Sequence, residues 1–284
     1  MLTANGWKDY ELLDCGGGER LERWGRYILR RPDPQAVFPC ASDKGWDRAD
    51  AVYTRIGGGG TWTKKNVPDS WNISYGDLVF SVKPMNFKHT GLFPEQAVNW
   101  DRCGELIRKA GRDIKVLNMF AYTGGATVAC AKAGAAVTHV DAAKGMVQTA
   151  KENAALSGLA DAKIRYIVDD CKKFAEREGR RGSFYDAVIM DPPSYGRGPN
   201  GEVWKIEDML FPLVELCAKL LTEKPLFFLV NSYTTGLSPC TVEYMLASLL
   251  KKYGGRVSSD ELGLRSSASG LSLPCGASAI WQAV

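Results

Sequence analysis

The chain contains no CxxC pair. Its eight cysteines, Cys15, Cys40, Cys103, Cys130, Cys171, Cys217, Cys240 and Cys275, are irregularly spaced, which argues against both a zinc site and a disulfide framework. Reduced, mostly buried thiols are the expectation. Histidine is scarcer still. His89 and His139 are the two in 284 residues, too few for a His-based metal centre, so no metal is expected. No stretch approaches the roughly twenty apolar residues of a membrane helix. The first residues, MLTANGWKDYELLD, lack the positive start and apolar run of a secretory signal. A cytoplasmic protein with no membrane association is expected. The G-x-G-x-x-G of dinucleotide binders is missing, which counts against a nucleotide-dependent oxidoreductase. Charge of one sign is missing too: 36 Lys and Arg against 32 Asp and Glu leave +4. That balance is compatible with a polyanionic partner and does not demonstrate one.

What is present is a globular composition, 45% hydrophobic and 24% charged, with enough apolar mass for a full core. Two textures divide it. Residues 1–85 are rich in Trp, Gly and Pro, with short alternating runs such as AVYTRI and NISYGDLVFSV and a tetraglycine at 57–60. They predict a small β-rich domain. Residues 86–284 form the second domain, in which apolar runs alternate with helical spacing. KVLNMF (115–120), AVTHVD (136–141), KIRYIVDD (163–170), YDAVIMD (185–191) and PLFFLVNS (225–232) are predicted strands. GATVACAKAG (125–134), KGMVQTAKENAALSG (144–158), CKKFAEREGRR (171–181), IEDMLFPLVELCAKLL (206–221) and TVEYMLASLLKKYG (241–254) are predicted helices. Two late runs, near 256–265 and 276–284, close the sheet. This alternation implies an α/β fold with a mostly parallel sheet covered on both faces. Ligands on such sheets bind beyond the carboxyl ends of the strands.

The motifs fall at those ends. After the first strand, Thr123-Gly124-Gly125 makes a tight turn into a helix N-terminus. The glycines permit positive φ and close backbone approach, and the free N–H groups favour an anionic or carboxylate group. The second strand ends in Asp141, suited to accept from both ribose hydroxyls, or to cap the next helix. The third ends in Asp169-Asp170. Asp170 can accept from an adenine amine, with Cys171 as a small wall, or serve equally as a helix cap. The fourth ends in Asp191-Pro192-Pro193-Ser194-Tyr195. The prolines lack N–H donors and fix φ. A rigid carboxylate and carbonyl can therefore accept two hydrogen bonds from a planar amine, and Tyr195 can stack on a flat ring. Arg197 and Lys205, in a glycine-rich stretch, suit phosphates or are ordinary solvated charge.

Taken together, VLNMFAYTGG, VTHVDAAK, ENAALSGL, VDD and MDPPSYGRG, with FKHTGLFPEQAVN at 87–99, resemble the class I S-adenosylmethionine-dependent methyltransferases. More narrowly, they resemble the bacterial 23S rRNA group that includes the cytosine carbon-5 enzymes. The resemblance spans residues 80–235. It implies a Rossmann-like, seven-stranded sheet whose last strand is antiparallel. It implies a cofactor set of Asn118, Phe120, Ala121, Tyr122, Thr123, Gly124 and Gly125 in and before the turn, Asp141 and Ala142 at the ribose, and Asp170 and Cys171 at the adenine. The resemblance also implies that Thr90 and Phe93 help to close that pocket and that Asp191 belongs to the cofactor set. It implies that Asp191, Pro192 and Tyr195 face the methyl group and its acceptor as the catalytic set. Pro193, Arg197, Lys205 and Asn231 are the substrate-binding expectation.

Two departures from the family matter. Its segment before the first strand ends Asp-Gln-Arg, whereas this chain has Glu95-Gln96-Ala97. The carbon-5 enzymes carry a nucleophilic cysteine just after the fifth strand, because carbon-5 attack needs a thiolate adduct. Here that place reads Asn231-Ser232-Tyr233, and Cys240 lies further on. A ring or exocyclic nitrogen, which already carries a lone pair, is therefore the expected acceptor. These observations imply an S-adenosylmethionine-dependent methyltransferase of a base nitrogen in RNA, with ribosomal RNA the expected substrate, acting as a monomer or homodimer. Carbon-5 methylation, methylation of a protein or small-molecule amine, and a non-catalytic RNA-binding assembly factor are the alternatives.

Overall fold

The computed structural model describes residues 1–57, 59–85, 88–197 and 203–284. The side chain of Arg197, part of the tetraglycine and the glycine-rich stretch 198–202 lie outside the described residues. The chain divides into two compact units. One comprises Met1–Val98 and Leu262–Cys275, the other Asn99–Glu261 and Gly276–Val284.

The first unit is built of strands β1 (Leu2–Thr3), β2 (Tyr10–Gly16), β3 (Glu19–Trp24), β4 (Tyr27–Pro32), β5 (Ala51–Ile56), β6 (Gly59–Lys64), β7 (Trp71–Tyr75) and β8 (Leu78–Val82). β2 to β6 form a five-stranded sheet in chain order, and β7–β8 form a separate hairpin. Alternation drives the fold, since inward residues such as Leu12, Trp24, Leu29, Ile73 and Phe80 are almost fully buried. The same alternation buries charge. Glu22 accepts from Tyr10 Oη (2.7 Å) and from Arg31 Nε and Nη2 (2.5 and 2.9 Å). Burial alone would raise the Glu22 carboxyl, but Arg20, Arg31 and these bonds hold it at about 2.

A depressed carboxylate stabilises the fold while it is ionised. Its contribution is complete above the ordinary glutamate range and is lost as pH falls from about 4.5 toward about 2. Glu22→Ala leaves Arg31 buried without its partner and is expected to cost about 3–5 kcal/mol in denaturant unfolding. A loss below about 1 kcal/mol would show the network to be dispensable.

The second unit carries helix α1 (Ala97–Lys109, beginning in the first unit), then β9 (Lys115–Met119), α2 (Gly125–Lys132), β10 (Ala136–Asp141), α3 (Lys144–Leu156), β11 (Ile164–Val168), α4 (Cys171–Arg181) and β12 (Ala187–Met190). It continues with β13 (Tyr195–Arg197), β14 (Val203–Lys205), α5 (Ile206–Ala218), β15 (Phe227–Ser232), α6 (Pro239–Leu250), β16 (Arg256–Arg265) and β17 (Ser272–Gln282). The sheet order is β16-β17-β15-β12-β9-β10-β11, with β1 added beside β16. β9, β10, β11, β12 and β15 pair in parallel, and β17 runs antiparallel to β15. The seven-stranded α/β sheet is thus as expected, and the two-residue β1 is an eighth strand too short to read from sequence.

The central strands are buried almost continuously, with successive residues pointing to opposite faces, and helices cover both. Leu117, Met119, Val188, Met190, Phe228 and Val230 pack with α4, α5 and α6. Val116, Ala187, Ile189, Phe227 and Leu229 pack with Cys103 and Ile107 of α1 and Cys130 of α2. Among the described residues no helix is long and apolar enough to cross a membrane.

Candidate active site

Register brings the predicted motifs to one level. Met119 pairs with Val140 on one side and with Met190 on the other. The next residues of three adjacent strands are therefore Phe120, Asp141 and Asp191. Asp141 pairs in turn with Val168, so Asp169 and Asp170 follow at the same edge. This edge is the carboxyl end of the parallel strands, where the order reverses about β9 and ligand crevices form.

The turn after β9 is strained. Phe120 has φ 52° and Tyr122 φ 49°, a left-handed conformation that costs bulky residues about 1–3 kcal/mol each. Several bonds hold it in place. Phe120 N donates to Cys171 Sγ (3.3 Å), Ala121 N to the Val140 carbonyl (3.1 Å) and Tyr122 N to Asp141 Oδ2 (2.9 Å). Asn153 of α3 donates to the Thr123 carbonyl (2.8 Å). The glycines also serve packing. A Cβ on Gly124, at φ 84°, would stand 2.8 Å from Ala150 Cβ, and one on Gly125 would stand 2.6 Å from the Trp100 ring. Both absences let α2 and its neighbours close against the turn.

Asp141 is half-buried. Its second oxygen accepts from Ala143 N (2.8 Å). Burial raises the carboxyl above its ordinary range, and the N–H bonds from Ala143 and Tyr122 oppose that shift. Each oxygen keeps a further lone pair. Asp170 caps α4 through Lys173 N (2.9 Å), so the capping role is present. Its side chain remains exposed at the edge. Cys171 is buried behind Phe120, with its thiol pushed well up by burial. Ala142 is exposed beside Asp141.

Two expected residues make hydrogen bonds within the protein. Asn118 is buried and donates to Thr127 Oγ1 (2.9 Å), which in turn meets His139 Nδ1 (2.9 Å). This chain fastens α2 to β9 and β10. Asn231 is buried at the end of β15, and its Oδ1 accepts from Asn99 Nδ2 (3.0 Å). Thr90 and Phe93 belong to the first unit. There Thr90 Oγ1 is buried without a hydrogen-bond partner among the described residues, and Phe93 meets His89 edge-on at 5.7 Å.

The acceptor motif starts where Asp191 N donates to the Met119 carbonyl (3.3 Å). Pro192 is buried, and Pro193 and Tyr195 are exposed. Ser194 Oγ pairs with Thr234 Oγ1 (2.7 Å) and the Ser194 carbonyl accepts from Ile206 N (3.1 Å). β13 and β14 form an antiparallel hairpin in which Tyr195 lies opposite Lys205 and Gly196 opposite Trp204. Tyr195 and exposed Lys205 therefore share one face and Trp204 takes the other. Trp204 is the functional candidate that sequence reading passed over, because its contacts are set by the hairpin and not by its neighbours in the chain. The residues directly after β15 are Tyr233, Thr234 and Thr235, with no cysteine among them, and Cys240 is exposed in the first turn of α6.

The donor set fits a charged nucleoside cofactor: a pinned turn, a half-buried carboxylate with spare lone pairs, and an exposed acid beyond it. A model of the S-adenosylmethionine-dependent methyltransferase family matches residues 42–224. The crystal structure of a SAM-dependent methyltransferase from Agrobacterium tumefaciens is 37% identical, with TM-score 0.94 over 99% of this chain and 92% of that one. Ribosomal RNA large subunit methyltransferase K/L of Shewanella frigidimarina is 32% identical over 48% of this chain, and that of Vibrio cholerae 35% over 43%. The matches span 19% and 16% of those two relatives' lengths. By family model, fold and whole-length likeness, the chain belongs to the S-adenosylmethionine-dependent methyltransferase family.

Proposed function

We propose that this methyltransferase acts on a base nitrogen of RNA, with ribosomal RNA as substrate. The observation that carries the acceptor chemistry is the level register of Phe120, Asp141 and Asp191, together with the absence of a thiol at the end of β15. The rRNA part rests on the names of the partial-length relatives.

When bound, S-adenosylmethionine supplies an electrophilic sulfonium methyl. The turn Phe120–Gly125 receives its methionine part, Asp141 and Ala142 its ribose, and Asp170 and Cys171 its adenine. Asp191 and the Pro192 carbonyl hold the acceptor amine in line and stabilise the positive charge that develops on nitrogen. Their rigidity matters because transfer needs close, aligned approach more than proton chemistry. Tyr195 gives a flanking base a stacking face, and Pro193 and Lys205 border it, with the Lys205 cation suited to phosphate.

The test is methyl transfer from labelled S-adenosylmethionine to rRNA taken from cells lacking the gene. The expected product on nucleoside digestion is an N-methylated base. Label recovered as 5-methylcytosine, or in protein with none in RNA, would contradict the reading. Cys240→Ser is expected to leave transfer intact, since Cys240 is exposed in the first turn of α6, eight residues beyond the last residue of β15. Loss of transfer in that variant with cofactor binding retained would support a carbon-5 mechanism.

A further inference from the structure

Pro192 and Pro193 donate no backbone hydrogen bonds. The acceptor motif can therefore be fixed in place only through its flanking N–H groups and through bonds that its own oxygens accept. Asp191 N is tied to Met119, and the Ser194 carbonyl is tied to Ile206. Between them, the Pro193 carbonyl accepts from Trp204 Nε1 at 2.6 Å. The Trp204 ring also leans on Phe120, with centroids 5.2 Å apart and planes at 54°. Both rings pack on the core cluster that holds Met119, Cys171 and Met190. One side chain thus touches the acceptor motif through its N–H and the strained cofactor turn through its ring.

We infer that Trp204 is a positioning residue for methyl transfer. It locks the Asp191–Pro193 segment and braces Phe120 in its left-handed conformation, so that acceptor clamp and cofactor turn keep one relative geometry. The inference rests on the reading of Asp191–Pro193 as the acceptor clamp.

Two variants separate the contacts. Trp204→Phe keeps a ring against Phe120 and removes the N–H. Its kcat on rRNA is expected to fall by about tenfold. Its RNA KM and S-adenosylmethionine Kd are expected to stay within about twofold, and its melting midpoint unchanged. A merely structural role would move the midpoint and leave kcat per folded enzyme alone. Trp204→Ala removes the brace as well, and calorimetry is expected to show S-adenosylmethionine bound about fivefold more weakly.

Wild-type kcat in Trp204→Phe, or wild-type cofactor affinity in Trp204→Ala, would overturn the inference. The calorimetric arm needs no acceptor. A wild-type enzyme that binds cofactor but leaves RNA unmethylated would count against the RNA substrate and not against the brace.

Discussion

Asp191→Ala is expected to lower kcat for methyl transfer by about 10²–10³-fold, the usual cost of removing a preorganised group from a site of developing charge. The fold should tolerate the change. Asp191 is only half-buried, and the bond that ends β12 runs from its backbone N–H to Met119. Asp191→Asn keeps one acceptor oxygen and replaces the other with a donor, so an intermediate rate is expected. Single-turnover transfer to undermethylated rRNA, with cofactor affinity measured in parallel, reads the effect. Transfer by Asp191→Ala at the wild-type rate would remove Asp191 from the mechanism.

Asp141→Ala is expected to weaken S-adenosylmethionine binding by about 100-fold, because the change removes acceptors from two backbone N–H groups as well as from the ribose. Tyr122 N and Ala143 N both depend on this carboxylate, and Tyr122 sits at φ 49°. The turn that receives the methionine part therefore relaxes along with the ribose contact. Asp141→Asn retains one oxygen and is expected to lose less.

The raised Asp141 carboxyl gives a pH dependence of definite sign. The ionised form is the better acceptor, so cofactor affinity is expected to drop as pH falls toward the raised value, earlier than for an aspartate at 3.8. In the same interval the folded protein binds more protons than the unfolded chain, so this group makes the ligand-free fold more stable as pH falls. Affinity and apo stability thus move in opposite directions. Calorimetric titrations across that interval, repeated with Asp141→Asn, check this, because the variant's profile should be flat there.

The sheet was legible because its strands are near-continuous apolar runs and its helices keep their spacing. The acids at the strand ends were legible because parallel register turns position along the chain into position at one edge. Several features were not. Nothing in NMFAYTGG says that Phe120 and Tyr122 adopt positive φ. That conformation is imposed from outside the motif by Asp141, Cys171 and Asn153. The sequence does not show that Ala150 and Trp100 stand where a Cβ on Gly124 or Gly125 would have to go. Asn118 and Asn231 sit at the right strand positions, but their amide groups are engaged with Thr127 and Asn99. Trp204 carried no role in the sequence, because the hairpin register that sets its contacts is not visible there. The return of residues 262–275 to the first unit also leaves no local mark. In each case a partner distant in sequence decides the outcome.

The most direct measurement is nucleoside mass spectrometry of rRNA from cells with and without the gene. The account predicts that one N-methylated base disappears on deletion, returns with the wild-type gene and does not return with Asp191→Ala. An unchanged rRNA modification profile, or the loss of 5-methylcytosine in place of an N-methyl base, would contradict it.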